Sequence, residues 1–360
     1  MPSFGKRAGM IVHEDDPFNA ETARGPLAQS PLTALDAFYV RNHGPVPQHD
    51  PSSWRLEVGG LVERASSLSL EDLRDGRFVE REVIATLQCA GNRRAGMAAV
   101  REIPGEAPWG PGATGTATWR GVALADVLAA AGPRSEACHV ALVGGDVSDE
   151  AEPPQRFGAS IPIAKALRDE VLLAWAMNGE DLPAVHGAPL RVVVPGYIGA
   201  RSVKWLELVQ LREKPFDGFF QETTYRLLAP DEEPGPGVGV ALGEAALNAD
   251  ILVPDDASDV NAGKVEVRGY AFAGGERRIA RVDVSVDGAR TWRQAELLED
   301  LGPWAWRLWR TEVDLAPGEH DILARAWDSA GASQPEHPAS LWNPKGYINN
   351  AWGRTGVTAR

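Results

Sequence analysis

Apolar and polar residues alternate in two different patterns along the chain. Between Trp54 and about Leu211, short apolar runs such as 83–87 alternate with stretches of helical composition. One such stretch, 123–131, is rich in alanine and leucine and is followed by Gly132-Pro133, a pair that ends helices. This half of the chain is therefore predicted to form a mixed α+β domain.

Beyond about residue 240 the pattern changes to a period of two, which is typical of strands with one buried face. Val282, Val284 and Val286 alternate with polar residues, and Asp287-Gly288 is a hairpin signal. About seven short strands over roughly 110 residues predict an immunoglobulin-like sandwich. Its tryptophans 304, 306 and 309 are expected to lie partly in a symmetric dimer interface.

The segment 229–240 separates the two patterns. It contains several prolines and glycines with three acidic residues between them, a composition that bends and exposes a chain. We therefore expect one domain at 1–240 and a second at 241–360. Residues 1 to about 50 have little periodicity, which predicts an extended segment on the surface of the first domain.

Composition excludes two classes of protein. The 360 residues include 36 basic and 50 acidic side chains, a net charge of −14 that argues against nucleic-acid binding. No apolar run is long enough to span a membrane. Residues 1–30 show no export signal, so we expect a cytoplasmic protein.

The chain contains only two cysteines, Cys89 and Cys138. Two are too few for a disulfide framework or an iron–sulfur cluster, and no haem-attachment motif is present, which favours a reducing compartment. Cys138 falls in an apolar run that predicts a buried strand, where a thiol acts as a small hydrophobe.

Cys89 is different, because it ends an apolar run and is followed by Ala-Gly-Asn and then Arg93-Arg94. Nearby cations lower the pKa of a cysteine, and only the thiolate is a good nucleophile or soft metal ligand. The residues alone leave three interpretations open. Cys89 is a metal ligand, a nucleophile with a histidine as its base, or a structural cysteine; the candidate bases are His43, His139 and His186.

Two further segments, 38–47 and 186–205, place basic residues beside strand ends, loops and glycines. Glycines let backbone amides approach a phosphate closely. Together the two segments predict a local anion site in an otherwise acidic protein.

These segments resemble the motifs of the sulfite oxidase family. The matching stretches are 39–43, 89–94, 158–162, 177–179, 186–196 and 200–205, and 265–352 is similar to the family's C-terminal dimerisation domain. The resemblance implies an α+β molybdopterin-binding domain followed by an all-β immunoglobulin-like sandwich. It also implies a homodimeric molybdenum oxidoreductase with one molybdopterin per subunit, and no haem or flavin in this chain.

The resemblance implies roles for individual residues. Cys89 is the protein ligand of molybdenum and acts in catalysis with Arg41, Arg94 and Tyr225. The reaction is oxygen-atom transfer that oxidises sulfite to sulfate. Residues that bind the substrate anion are Arg41, Arg94, Trp109, Tyr225 and Lys345. Residues that bind the cofactor are Tyr39, Asn42, His43, Cys89, Asp146, His186, Arg191, Ser202, Val203 and Lys204.

Two positions depart from the family pattern. Lys345 stands where arginine is typical, which keeps the charge but loses the planar fork of the guanidinium group. The stretch 105–108, Gly-Glu-Ala-Pro, stands where animal enzymes carry a lysine. Two alternatives to a sulfite-oxidising enzyme stay open. One is a nitrate reductase-like enzyme, because the segment 349–352 resembles the nitrate reductase sequence, and the other is a non-catalytic molybdopterin-binding protein. Electrons pass to oxygen or to a separate cytochrome.

Overall fold

The computed structural model describes residues 4–360, and strands dominate both halves of it. Within this range no helix is both long and apolar enough to cross a membrane. The expected helix is α4, which ends at Gly132 in the left-handed conformation with φ 72°. The α-helices are α1 (Arg24–Leu27), α2 (Leu70–Arg74), α3 (Arg94–Ala98), α4 (Leu124–Ala131) and α5 (Ile163–Ala166).

Two five-stranded sheets form the body of the first half, in the orders β10-β9-β6-β5, with β11 also paired to β9, and β4-β3-β12-β7-β8. One hydrophobic cluster joins them, with Val122 and Leu173 from one sheet and Val140 and Leu206 from the other. The strands are β1 (Ile11–Asp15), β2 (Phe18–Glu21), β3 (Leu56–Gly60), β4 (Ser66–Leu68), β5 (Glu80–Gln88), β6 (Thr114–Ala123), β7 (His139–Ser148), β8 (Gln155–Pro162), β9 (Leu172–Met177), β10 (Glu180–Asp181), β11 (Arg191–Val193) and β12 (Leu206–Arg212).

The second half is the predicted β-sandwich. Its two sheets have the orders β15-β17-β21-β20 and β16-β23-β22-β18-β19, and apolar side chains from both, such as Val267 and Ile322, fill the space between them. β13 (Arg226–Leu227) and β14 (Val240–Ala241) pair with each other in a separate two-stranded sheet. The strands of the sandwich are β15 (Asn248–Val253), β16 (Ser258–Val260), β17 (Gly263–Phe272), β18 (Ile279–Ser285), β19 (Arg293–Gln294), β20 (Glu296–Leu297), β21 (Arg307–Leu315), β22 (Gly318–Asp328) and β23 (Gly353–Ala359).

The N-terminal segment differs from the expected surface wrap. β1 and β2 form a hairpin, and Ala20 of β2 bridges to Val40. Ala20, Phe38 and Val40 are all buried. The few apolar residues of this segment are therefore part of the interior, and they anchor the stretch that leads to Arg41 and His43.

Cys138 is also not where its apolar neighbours predicted. It is exposed although Ala137 and Val140 near it are buried. Its backbone amide donates to the Arg212 carbonyl and its carbonyl accepts from the Ile163 amide, both at 2.9 Å, so Cys138 is paired on both sides and apolar composition alone misplaced its side chain.

Two of the three tryptophans expected partly at a dimer interface, Trp306 and Trp309, lie in the interior of the chain instead. Trp306 is buried and donates a hydrogen bond from its ring to the Pro31 carbonyl oxygen at 2.9 Å, and its backbone amide donates to Thr86 at 2.8 Å. Trp309 is fully buried in the core of the sandwich. Trp306 therefore joins the two halves of one chain.

A buried ion pair links the same two halves. Arg93 adopts a left-handed conformation with φ 65°, and its Nε lies 2.8 Å from Asp250 Oδ2. Arg93 also donates to Asn248 Oδ1 at 2.9 Å and to the Trp352 carbonyl at 2.8 Å. The side chain of Arg93 therefore serves the contact between the halves rather than the region around Cys89.

We expect Asp250→Ala to lower the free energy of unfolding by about 3 to 5 kcal/mol, because it leaves the Arg93 guanidinium buried without its counter-ion. Urea unfolding followed by tryptophan fluorescence measures the change. The control is Asp321→Ala, which removes an exposed pair with Arg354 (3.2 Å) and should change stability little. Equal effects of the two variants would contradict a special role for the buried pair.

Candidate active site

One cavity, with about 660 Å³ of empty space, brings together the stretch at Cys89 and the two basic segments 38–47 and 186–205. Strand β5 becomes buried towards its end at Gln88, so the chain enters the interior where Cys89 follows. Cys89 is only 7% exposed. The predicted site residues that line this cavity are Tyr39, Arg41, Asn42, His43, Cys89, Asp146, His186, Arg191, Ser202, Lys204 and Tyr225.

A group of basic side chains lies at this cavity, with Lys6 beside the lining rather than in it. Arg191, the first residue of β11, donates hydrogen bonds to the carbonyls of His186 and Ser202 at 2.9 and 2.8 Å. Lys6 Nζ lies 2.6 Å from His186 Nε2, and Lys204 Nζ lies 3.2 Å from the Val185 carbonyl. This cationic cluster consists of Lys6, His186, Arg191 and Lys204.

Burial disfavours the charged forms of the whole cationic cluster. It lowers the pKa of Lys6 to about 7 and that of Arg191 to about 10. Burial, and then the charge of Arg191, hold the pKa of Lys204 far below its usual value. Such a cluster is costly unless an anion enters beside it, so its chemistry suits a phosphate group.

Asp146 is the only carboxylate that lines the cavity among residues 4–360. Burial raises its pKa to about 6, and its Oδ1 has no hydrogen-bond partner among the described residues. A buried acceptor without a partner fits a ligand that donates from ring or amino nitrogens. A phosphate-bearing pterin combines both features, so the residues fit molybdopterin.

Cys89 itself does not behave as its sequence context predicted. Burial raises the pKa of its thiol, and the charges of Arg94 and Arg41 only partly oppose this. The expectation that neighbouring guanidinium groups favour a thiolate is therefore wrong for the protein alone, since Arg93 faces the second half and burial outweighs the rest. The amide of Gly91 lies 3.4 Å from Sγ. A bound metal ion would favour the thiolate form of Cys89.

Arg41, His43 and Tyr225 form a hydrogen-bonded group beside the cavity. His43 Nε2 lies 2.7 Å from the Tyr225 hydroxyl, and His43 Nδ1 lies 2.6 Å from Glu150. Arg41 Nη2 lies 3.4 Å from the same carboxylate. Burial, and then the charge of Arg41, lower the pKa of His43 to about 4. The neutral His43 ring therefore connects Tyr225 to Glu150 through its two nitrogens.

Arg94 and Lys345 do not line the main cavity and meet at its side. Arg94 Nη2 lies 3.0 Å from Glu106, and Lys345 Nζ lies 2.7 Å from the same carboxylate. Arg94 also lies over the Tyr347 ring, 5.3 Å from its centroid, and Tyr347 stacks on Tyr225 at 5.4 Å. This group, which we call the Glu106 cluster, connects the second half of the chain to Tyr225.

The remaining predicted residues lie outside the cavity lining. Trp109 is buried with its ring 4.6 Å from that of His13. Val203 is buried as well, and its carbonyl accepts a hydrogen bond from the Val192 amide at 2.9 Å. Sequence reasoning missed Lys6, Glu150 and Tyr347 and named Glu106 only as part of a less basic stretch. The adjacent basic residues Lys6 and Arg7 could have been noticed in the sequence. Glu106 and Glu150 have no neighbouring residues that would indicate a role in the site.

Two family models together match most of the chain. The oxidoreductase molybdopterin-binding domain matches residues 43–220, and the Mo-co oxidoreductase dimerisation domain matches residues 241–360. Fold and site thus define an enzyme of the molybdopterin-dependent oxidoreductase class, as expected from the sequence.

Individual proteins narrow this class. The chain is 42% identical to the sulfite oxidase of Gallus gallus over 97% of this chain and 78% of that protein. A nitrate reductase of Hordeum vulgare is 35% identical over 95% of this chain and 41% of its own length. The structure of the sulfane dehydrogenase SoxCD from Paracoccus pantotrophus is similar with a TM-score of 0.83, at 26% identity over 98% of this chain and 87% of that one. The chain belongs to the sulfite oxidase family.

The cationic cluster makes anion binding depend on pH. Above pH 7 the buried Lys6 is largely neutral, and an entering phosphate raises its pKa, so binding takes up a proton. We therefore expect the affinity of the cofactor-free protein for inorganic phosphate to fall as pH rises from about 7 to 9, by at most about tenfold per pH unit. Calorimetry in buffers of different ionisation enthalpy measures the proton uptake.

Lys6→Met should flatten this pH dependence, because it removes the group that takes up the proton. The matched control is Lys214→Met, which removes an exposed lysine of the same type. A phosphate affinity that stays constant with pH in the parent protein would refute the assignment.

Proposed function

We propose that the protein oxidises sulfite to sulfate with molybdenum carried by one molybdopterin per subunit. The observation that carries the proposal is the buried Cys89 thiol in a cavity that is also lined by Arg41, Arg191 and Lys204, with Arg94 at its side. When bound, the cofactor supplies the two-electron redox chemistry of oxygen-atom transfer. The protein positions the cofactor, binds the anion and conducts the released protons.

Cys89 ligates the metal in this proposal, because it is the one buried thiol among the described residues and thiolates are soft ligands. The cationic cluster neutralises the phosphate of the cofactor, and Asp146 accepts hydrogen bonds from the pterin nitrogens. The other residues that hold the cofactor are Tyr39, Asn42, His43, Ser202 and the backbone at Val203.

Arg41, Arg94 and Tyr225 bind the substrate anion. Guanidinium groups suit a pyramidal oxyanion because they remain charged when buried and donate hydrogen bonds in pairs. Oxidation of sulfite with water releases two electrons and two protons. Tyr225, His43 and Glu150 lie in one hydrogen-bonded line from the site to a carboxylate that is 40% exposed, and this line carries a proton outward.

The assembly and the electron acceptor belong to the same proposal. The proposal keeps one domain at 1–240 and a second at 241–360, and the match to the dimerisation-domain model supports a homodimer. Electrons leave to oxygen or to a separate cytochrome, without haem or flavin in this chain. The cytoplasmic location stays a prediction.

The two cysteines allow a matched test of the metal ligand. Cys89→Ser should abolish sulfite oxidation, because a hard oxygen replaces the soft ligand, and should leave the circular dichroism spectrum and thermal midpoint close to those of the parent. Cys138→Ser, at an exposed thiol, should keep full activity. Activity of Cys89→Ser within about tenfold of the parent would exclude the ligand role.

Substrate assays separate sulfite oxidation from its alternatives. Purified protein containing molybdenum by elemental analysis should oxidise sulfite with ferricyanide or a cytochrome as acceptor. Reduction of nitrate without oxidation of sulfite would favour the nitrate reductase-like alternative. Protein loaded with molybdenum that converts neither anion would favour a non-catalytic molybdopterin-binding protein.

A further inference from the structure

Glu106 holds two cations of the substrate site at the same time. Its Oε2 lies 3.0 Å from Arg94 Nη2 and its Oε1 lies 2.7 Å from Lys345 Nζ. The side chains of Glu106, Arg94 and Lys345 are only 16%, 4% and 23% exposed. The attraction between a carboxylate and two cations that are so little exposed to water is much stronger than the attraction within a surface ion pair.

Two other nitrogens of Arg94 already donate to backbone carbonyls. Its Nε donates to the Lys345 carbonyl and its Nη1 donates to the Ala107 carbonyl, each at 2.9 Å. The Nη2 group is therefore the part of this guanidinium that an anion can use, and Glu106 occupies it. A substrate anion that binds Arg94 competes with this carboxylate.

Glu106 also lies at a position from which its side chain can move away from Arg94. It lies on the loop between Ala98 and Thr114, which has no regular secondary structure at this position, and it follows Gly105, whose φ is 75°. A glutamate side chain on such a loop needs only rotamer changes to leave Arg94. Arg94 itself stays fixed by its two carbonyl contacts.

We propose that Glu106 is an internal counter-ion that occupies the substrate anion site and lowers its affinity for anions. An entering oxyanion displaces the carboxylate from Arg94 and Lys345, so each anion binds at the expense of an existing ion pair. The cost is the same for substrate and product, and a pocket of this kind weakens the binding of sulfate as well as that of sulfite. The inference rests on the proposed function and names the residue that limits its anion affinity.

The decisive variant is Glu106→Gln, which keeps the shape of the side chain and removes its charge. Sulfate binding to the molybdenum-loaded, oxidised protein is measured by titration calorimetry, which does not depend on turnover. We expect sulfate to bind about tenfold more tightly than to the parent, with the difference shrinking at high salt. The KM for sulfite should fall as well, with a smaller change in kcat.

Two further variants complete the design. Glu102→Gln removes an exposed carboxylate of the same loop and should leave sulfate affinity within about twofold. Lys345→Met leaves Glu106 on Arg94 and removes one cation, so it should weaken sulfate binding. Opposite shifts for Glu106→Gln and Lys345→Met support a counter-ion.

Weaker or unchanged sulfate binding in Glu106→Gln would overturn the inference, because a purely structural ion pair loses its geometry when either partner is removed. Failure of the proposed function is a different result. It would appear as absent sulfite oxidation by the molybdenum-loaded parent, whereas sulfate titration still reports on Glu106. Thermal midpoints of the variants exclude unfolding as the cause of a lost signal.

Discussion

More cations than carboxylates line the cavity, and this imbalance is the constraint on which the structure depends. Lys6, Arg191 and Lys204 lie in an interior that lowers their pKa values, and their hydrogen bonds go largely to backbone carbonyls. Carbonyls satisfy donors but do not neutralise charge. The fold therefore reaches its full stability only with an anion in the cavity, which couples cofactor binding to folding.

Two adjacent arginines have different roles, one at the contact between the two halves of the chain and the other at the candidate active site. Arg93 turns away through a left-handed backbone and pairs with Asp250, whereas Arg94 begins α3 and faces Tyr347 and Glu106. Because Arg93 and Arg94 follow Cys89 by only four and five residues, the loop that carries the thiol also contacts the second half. Movement between the halves would displace the thiol and Arg94 together.

The sequence predicts the local features of this arrangement and misses the long-range ones. A period of two identified the sandwich, and basic residues beside glycines identified His186, Arg191 and Lys204 as one anion site. Glu150 contacts His43 across 107 residues of chain, and Lys345 contacts Glu106 across 239, so no spacing rule could pair them. Cys138 was misplaced for a local reason, because apolar composition does not fix which side chain of the run faces solvent, and this one is exposed near the buried Ala137 and Val140.

The balance of charge differs between the proposed site of the cofactor phosphate, a permanent ligand, and that of the substrate anion, a transient one. Around the proposed phosphate, the buried cations are left to be neutralised by the ligand, which favours tight retention of the cofactor. Around the proposed substrate, Arg41 is already paired with Glu150 and Arg94 with Glu106. An anion entering there exchanges one ion pair for another and gains little net charge stabilisation. Weak binding of this kind lets a doubly charged product leave a buried site, which turnover requires.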